Sequence, residues 1–291
     1  MYTVFDASET FYKVKKSVQE LAPLVKKYGI QGINPPAAIL EDFKKAREAA
    51  KCAYDNGLKW GLLPTPVDFL VPDTTDEKFD DGLEKLKVWA ETGEKMGVKY
   101  SYNHVFSGHN DRDYDENFEW HVIRIRQINK IMADHGIHYG LEFLGPWDLR
   151  NSLKKPFAHT IAGVLAIADA VSPDVGFLFD TFHWYTGSSD LDDLYFAAQH
   201  TDRMVCFHIN DGIAGKSQKE QLDLTRAMPM TTGVIDSVRM YKMFKDKGYA
   251  GPALLEPIYP TYERFIKMEA EAVVKEVAEG YNKMEELSNK R

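Results

Sequence analysis

The sequence predicts an α/β protein of the (β/α)8 barrel class, built as a single domain over residues 1–291. Short apolar segments alternate with longer amphipathic ones along the whole chain, no change of composition divides it, and the longer connections follow the apolar segments. Such repeated β-then-α units favour a parallel barrel, and one barrel commonly fills a chain of this size. A doubly wound open sheet is the competing topology, but no Gly-x-Gly-x-x-Gly motif follows a strand.

Eight short apolar segments have the length and composition of barrel strands. In chain order they cover residues 2–5, 30–34, 58–63, 98–103, 138–143, 175–180, 204–209 and 253–257. The longer segments between them have helical periodicity. They cover residues 10–28, 39–56, 77–96, 116–135, 158–171, 190–200, 234–247 and 262–287.

Residue types that end and begin helices support these boundaries. Five glycines each stand between a helical pattern and the next strand, where a left-handed residue commonly ends a helix. They are Gly29, Gly57, Gly97, Gly136 and Gly248. Asp76 and Asp115 are predicted to cap the starts of the third and fourth helices.

The longer connections fall after the strands, at 64–76, 104–115, 144–156, 181–189 and 210–233. In a barrel these connections all lie at the carboxyl-terminal face, which is where active sites of this fold are built. The sequence therefore predicts a functional site at this end of the barrel.

The overall composition excludes several classes of function. The formal net charge of -8 argues against non-specific nucleic-acid binding, which needs a cationic surface. Two cysteines without CxxC spacing, Cys52 and Cys206, argue against a structural zinc site or a disulfide framework and favour a reducing, cytoplasmic setting. Neither a signal peptide nor a membrane-spanning segment is apparent. A small molecule is the expected partner, and a homo-oligomer remains open.

The most informative pattern is the residue that ends each of the last four strands. Glu142, Asp180, His208 and Glu256 each follow an apolar run directly. Because side chains alternate along a strand, their neighbours face the helices and these four point into the barrel. Three carboxylates and an imidazole should therefore converge at one spot.

Three carboxylates in one poorly solvated place repel one another, and at least one would take up a proton unless a cation were present. Any one of them alone would be explained more simply as a strand-end residue held by a salt bridge or a hydrogen bond. The four together predict a site for one divalent cation. An oxygen-rich set with one nitrogen suits Mn²⁺, with Mg²⁺ or Co²⁺ as alternatives.

The same strand ends carry a family resemblance. The stretches LEF, FDTFHW, FHIND and LEP, at 141–143, 179–184, 207–211 and 255–257, resemble motifs of the xylose isomerase-like TIM barrels. That superfamily includes sugar-phosphate isomerases and epimerases, ketose 3-epimerases, inosose and dehydroshikimate dehydratases, and type IV apurinic endonucleases. The specific motifs lie between about residues 138 and 260, and the first half of the chain matches only in its alternation.

The resemblance implies roles for individual residues. The metal would be held by the four strand-end residues, and in the ketose 3-epimerases the two glutamates, here Glu142 and Glu256, also move protons on opposite faces of the substrate. His183 and Arg226 would contact substrate oxygens. Further candidate substrate contacts at the mouth of the barrel are His104, Asp148, Trp147 and Trp184.

The chain also departs from the family pattern. The loop after the seventh strand usually reads Pro-Gly-x-Gly, whereas residues 228–233 read MPMTTG. The three-metal endonucleases have an Asp-x-His pair in this region, and residues 226–228, RAM, offer neither ligand. This difference disfavours the DNA-repair activity.

The predicted reaction is metal-dependent isomerisation or epimerisation of a sugar, through proton abstraction next to a carbonyl and a metal-bound enediolate. Ketose epimerisation is the leading outcome. A dehydratase or lyase acting on a keto-sugar, an inosose or a keto-glycoside would share the same first step. The sequence does not distinguish these outcomes, and whether the sugar is phosphorylated stays open.

Overall fold

Parallel strands surrounded by helices make up the computed structural model, which describes every residue from 1 to 291. The strands are β1 (Tyr2–Phe5), β2 (Gly32–Ile33), β3 (Lys59–Trp60), β4 (Leu62–Leu63), β5 (Tyr100–Val105), β6 (Gly108–His109), β7 (His138–Phe143), β8 (Lys155–Pro156), β9 (Gly176–Asp180), β10 (Met204–Ile209), β11 (Thr225–Arg226), β12 (Pro252–Leu255) and β13 (Tyr259–Pro260).

The helices follow the strands in alternation. They are α1 (Val18–Lys27), α2 (Phe43–Asp55), α3 (Asp76–Met96), α4 (Tyr114–Asp134), α5 (Trp147–Ser152), α6 (Ile161–Val171), α7 (Thr181–Gly187), α8 (Leu191–Gln199), α9 (Ser237–Asp246), α10 (Thr261–Phe265) and α11 (Ala270–Asn289). No helix has the length and apolar character that crossing a membrane requires.

Nine strands form one parallel sheet in the order β3-β2-β1-β12-β10-β9-β7-β5-β4. The first and last strands of this order, β3 and β4, are separated in the chain by Gly61 alone. They are therefore one barrel strand interrupted at a single residue, and the sheet closes through it. The predicted (β/α)8 barrel is confirmed.

The interruption at Gly61 is filled by a side chain from the neighbouring strand. Asn34 Oδ1 accepts a hydrogen bond from the Leu62 N–H at 2.8 Å, and Asn34 Nδ2 donates to Asp6 Oδ1 at 3.3 Å. A Cβ atom at residue 61 would lie 2.1 Å from Asn34 Oδ1, closer than non-bonded atoms approach. Only glycine leaves room for this amide.

We expect Gly61→Ala to lower the free energy of unfolding by about 1–3 kcal/mol, the usual cost of overpacking a buried site. Urea denaturation followed by circular dichroism measures it. In an Asn34→Ala background the added cost of Gly61→Ala should be smaller, because the nearest clashing atom is gone. An equal cost in both backgrounds would show that the amide is not the source of the strain.

Predicted and observed boundaries agree to the residue for three strands, β1, β7 and β10. The five helix-ending glycines all have positive φ angles, between 64° and 86°, as predicted. The predicted caps Asp76 and Asp115 are wrong: Thr75 and Asp113 accept the capping hydrogen bonds.

The first and last predicted helices differ from the structure. Helix α1 begins only after Ser17, whose side chain forms a capping box with Glu20, so residues 10–16 are a connection and not a helix. The predicted helix at 262–287 is two helices, α10 and α11. The prediction relied on helical periodicity alone. That pattern did not reveal that residues 10–16 are a connection, or that a break separates α10 from α11.

The inward and outward faces of the strands follow the predicted alternation. Phe179 and Phe207 face the helices and pack on Phe244 of α9, with ring centroids 4.9 and 5.1 Å apart. Cys206 lies in a small buried cluster with Leu178. This alternation leaves the strand-end polar residues directed into the barrel.

His121 of α4 gives the fold a pH dependence away from the barrel mouth. The ring is buried, stacks on Phe157 with centroids 4.9 Å apart, and leaves its Nε2 without a hydrogen-bond partner. Burial lowers the pKa of His121 to about 3, against about 6.5 in an unfolded chain. Between these values the unfolded chain binds the extra proton, so acid favours unfolding.

We therefore expect the free energy of unfolding to fall by about 2 kcal/mol more in the wild type than in His121→Phe when the pH is lowered from 7 to 5. Urea denaturation at the two pH values measures the difference. Equal losses in both proteins would assign the acid sensitivity to other groups.

Candidate metal and substrate site

Four polar side chains meet at the carboxyl-terminal end of the barrel. Glu142 lies near the end of β7, Asp180 and His208 end or nearly end β9 and β10, and Glu256 directly follows β12. Their residues expose 1%, 0%, 0% and 6% of their surface, respectively. The structure thus brings together, in a buried place, the four residues that the sequence predicted to converge.

His208 lies at the centre of this group. Its Nδ1 atom lies 3.3 Å from Glu256 Oε1, 3.5 Å from Glu142 Oε1 and 3.8 Å from Asp180 Oδ2. Neither ring nitrogen has a hydrogen-bond partner, although both are buried. Unpartnered buried nitrogens are rare in folded proteins, and a catalytic role or a bound ion is among their explanations.

Three of the four residues have the geometry of a metal site. One ligand atom from each of Glu142, Asp180 and His208 lies within 4.8 Å of the others. Two carboxylates and one imidazole are ligands that divalent transition metals accept. Glu256 falls outside this three-residue group, although its Oε1 lies 3.3 Å from His208 Nδ1, and its other oxygen, Oε2, contacts Arg226.

Arg226 of β11 places a positive charge among the carboxylates. Its Nη1 forms ion pairs with Glu256 Oε2 and, at 3.1 Å, with Asp180 Oδ2, and its guanidinium stacks on Phe182. The Arg226 residue is only 3% exposed, and Asp223 Oδ1 lies 3.3 Å from its Nη2. In this structure the arginine provides the positive charge nearest to Asp180 and Glu256.

Asp180 is held by the start of the helix that follows it. Its Oδ1 accepts hydrogen bonds from the backbone N–H groups of Phe182 and His183 at 2.6 and 2.9 Å. Asn210 Nδ2 donates to Asp180 Oδ2 at 2.9 Å and to Glu256 Oε2 at 3.0 Å. These donors fix the orientation of both carboxylates.

Two further histidines flank the buried glutamate. His104 Nε2 lies 3.0 Å from Glu142 Oε2, and His183 Nε2 lies 3.9 Å from Glu142 Oε1. Burial disfavours the charged form of His104, but the charge and hydrogen bond of Glu142 outweigh it and raise the pKa of His104 to about 9. Burial and the neighbouring Arg226 lower the pKa of His183 to about 4.

The remaining predicted substrate contacts lie on the rim. Asp148 is exposed, and its Oδ2 accepts a hydrogen bond from the Asp223 N–H at 3.3 Å. Trp147 is 38% exposed and packs under Lys219. Trp184 is buried, and its Nε1 donates to the Asp190 carbonyl at 2.9 Å. The structure does not bring these three residues to the buried carboxylates.

Sequence reasoning missed several residues beside the site. Tyr102 lies two residues before His104 on β5, and Asn210 lies two residues after His208, just beyond the end of β10, so alternation could have found them. Tyr102 packs edge-on against His208, with ring centroids 5.6 Å apart. Phe11 and Asp68 come from loops, where no periodicity predicts which way a side chain points.

A family model described as the xylose isomerase-like TIM barrel matches residues 9–284. No curated protein sequence matches the chain.

Many solved structures share the fold. A xylose isomerase domain protein from Alicyclobacillus acidocaldarius is 22% identical, with 99% of each chain covered and a TM-score of 0.79. The IOLI protein with a bound zinc atom is 20% identical, with 98% of each chain covered and a TM-score of 0.78. D-psicose 3-epimerase with D-tagatose from Clostridium cellulolyticum H10 is 16% identical, with 99% of each chain covered and a TM-score of 0.73. At these identities the likeness establishes the fold alone.

Proposed function

The chain belongs to the xylose isomerase-like TIM barrel family, and from that premise we propose that it is a divalent-metal-dependent sugar isomerase or epimerase. The observation that carries the proposal is His208, whose two buried ring nitrogens lack partners while three carboxylates lie within 3.8 Å of its Nδ1. Among structures of this fold, one holds zinc and another is a ketose epimerase.

Glu142, Asp180 and His208 would hold the cation, and Glu256 would join them if its contact with Arg226 opens. The unpartnered ring nitrogens of His208 and the three carboxylates gathered around its Nδ1 fit such an ion. Mn²⁺ is our first candidate, with Mg²⁺, Co²⁺ and Zn²⁺ to be compared. When bound, it would polarise a carbonyl and an adjacent hydroxyl, which acidifies the C–H between them.

The protein's own residues would move the proton. Glu142 is the better-placed base, because His104 holds its Oε2 and leaves Oε1 facing the centre. Glu256 lies on the other side of His208 and would return a proton to the opposite face of the substrate, giving epimerisation. Return to the neighbouring carbon would instead give isomerisation, so the position of the second proton donor decides the product.

Loss of a β-hydroxyl or of a glycosidic oxygen after the first step would make the protein a dehydratase or lyase. Such activity on a keto-sugar, an inosose or a keto-glycoside is our second candidate. This second reaction begins with proton abstraction by the same base. Proton abstraction is therefore tested first, and the fate of the intermediate is tested second.

The reaction is tested by incubating the manganese-loaded protein with ketoses and inososes in D₂O. We expect deuterium at the carbon beside the carbonyl, observed by NMR as loss of the proton signal. A new unsaturated-ketone absorbance would select dehydration. The absence of exchange with every ketose and inosose would contradict the proposal.

Metal binding is tested separately from turnover. We expect His208→Gln to weaken Mn²⁺ binding by more than about 100-fold, since loss of a partner behind a ligand already costs 10–100-fold. Isothermal titration calorimetry measures the affinity. His138→Gln, an exposed histidine at the opposite end of β7, is the matched control. Equal affinity in the two variants would remove His208 from the ligand set.

A further inference from the structure

Two side chains beside the buried carboxylates are accessible to solvent. The side chains of Glu142, His208 and Glu256 are 2%, 1% and 8% exposed, whereas those of His104 and Asp68 are each 39% exposed. His104 lies on β5 and Asp68 in the connection after β4. A small molecule that approaches Glu142 from this side therefore meets these two residues.

His104 and Asp68 form an incomplete pair. His104 Nε2 contacts Glu142 at 3.0 Å, but His104 Nδ1 lies 4.0 Å from Asp68 Oδ2, which is too long for a hydrogen bond. A hydroxyl oxygen about 2.8 Å from both atoms would fit between them, and a hydroxyl group both donates and accepts. The spacing therefore suits an alcohol of a ligand.

Asp68 has no cationic partner other than this imidazole. No lysine or arginine forms an ion pair with it, although burial of the carboxyl raises its pKa. A partly buried carboxylate without hydrogen-bond compensation is costly. Within the folded chain the His104 ring and the Leu70 backbone offset this cost only in part, and the buried Asp68 Oδ1 has no hydrogen-bond partner. A bound hydroxyl would supply a donor.

The loop that carries Asp68 is held in place from behind. Thr74 Oγ1 donates to the Asp68 carbonyl at 3.0 Å, and Arg124 donates to the Phe69 carbonyl at 3.2 Å. The Arg124 guanidinium lies 4.1 Å from the Trp120 ring centre. A carboxylate fixed in this way is preorganised, which is the property expected of a binding group.

We propose that Asp68 and His104 form a hydroxyl-binding subsite for the unreactive end of a polyhydroxylated substrate, a role that rests on the proposed function. The reacting carbons lie at Glu142 and Glu256, and the distal hydroxyls lie at Asp68. A phosphate group on that end would face the Asp68 carboxylate, which repels it, while the His104 ring already pairs with Glu142. The subsite therefore selects a neutral polyol chain and excludes a sugar phosphate.

The test uses polyols, which carry the hydroxyls but have no carbonyl to react. Xylitol, D-sorbitol, galactitol and myo-inositol are titrated into the manganese-treated full-length protein by calorimetry, with D-sorbitol 6-phosphate as the charged counterpart. We expect at least one polyol to bind, Asp68→Ala to weaken it about tenfold or more, and the phosphate to bind more weakly than D-sorbitol. Asp73→Ala, which removes an exposed carboxylate from the same loop, should bind polyol as the wild type does.

Kinetics on the wild type and Asp68→Ala provide the second readout. Asp68→Ala should raise KM for a six-carbon ketose far more than it lowers kcat, and should reduce kcat/KM for that ketose far more than it reduces deuterium exchange into dihydroxyacetone, which lacks distal hydroxyls. Polyol binding that is absent, or equal in Asp68→Ala and wild type, overturns the subsite. Absence of exchange into dihydroxyacetone and all ketoses, with polyol binding still dependent on Asp68, overturns the proposed reaction and leaves the subsite standing.

Discussion

Glu142→Gln and Glu256→Gln are each expected to lower the rate of deuterium exchange next to the carbonyl by about 10²–10⁴-fold, the usual contribution of a positioned acid or base. Glutamine keeps the shape of the side chain and an oxygen that can bind a metal, but it cannot take up a proton at neutral pH. In an epimerase the two variants should differ, because each removes the base for one direction.

Exchange from each of the two epimers, measured by NMR in D₂O, separates these roles. Glu142→Gln should mainly reduce exchange that starts from one epimer, and Glu256→Gln should mainly reduce exchange that starts from the other. Glu48→Gln, an exposed glutamate on α2, serves as the control for the substitution itself. If both glutamine variants retained wild-type exchange with Mn²⁺ bound, proton transfer by these residues would be refuted.

Arg226→Met is expected to destabilise the metal-free protein by about 3–5 kcal/mol, because it leaves the buried carboxylates of Asp180 and Glu256 without their ion pair. A divalent cation at the same carboxylates should then bind the variant more tightly than the wild type, since no guanidinium competes with it. A ligand that binds only the folded state raises the free energy of unfolding, and the increase grows with the ligand concentration.

Thermal unfolding with EDTA and with millimolar Mn²⁺ gives both quantities. The melting temperature of Arg226→Met should be well below that of the wild type in EDTA and should rise more when Mn²⁺ is added. Arg47→Met, an exposed arginine on α2, should behave as the wild type. A variant that is stable in EDTA and indifferent to Mn²⁺ would mean that arginine and cation do not share these carboxylates.

The barrel and the convergence of the four strand-end residues could be predicted because both depend on local order. Alternation along β7, β9, β10 and β12 fixes which side chains face inward, and parallel pairing brings strand ends to one edge. Since Asp180 and His208 are paired in register, their approach follows directly from that pairing. Nothing beyond the strand pattern is needed to reach this result.

The partners of these residues could not be predicted in the same way. Arg226 reaches Glu256 because the two-residue ladder between β11 and β13 places its connection across the mouth, a pairing that no periodicity indicates. Asp148 is a predicted substrate contact, yet its side chain accepts a hydrogen bond from the Asp223 backbone N–H. Contacts between loops depend on which segments pair over long distances in the chain. The periodic pattern of the sequence does not determine that pairing.

The strands next to the interruption at Gly61 are much shorter than those in the other half of the barrel. Strands β5, β7 and β10 each have six residues, whereas β2, β3 and β4 have two each. The acid-bearing half is thus a stiff frame, and the half beside Asp68 contains the least backbone pairing. Changes of substrate range during evolution should accumulate on that loosely paired half, where they leave the proton-transfer groups undisturbed.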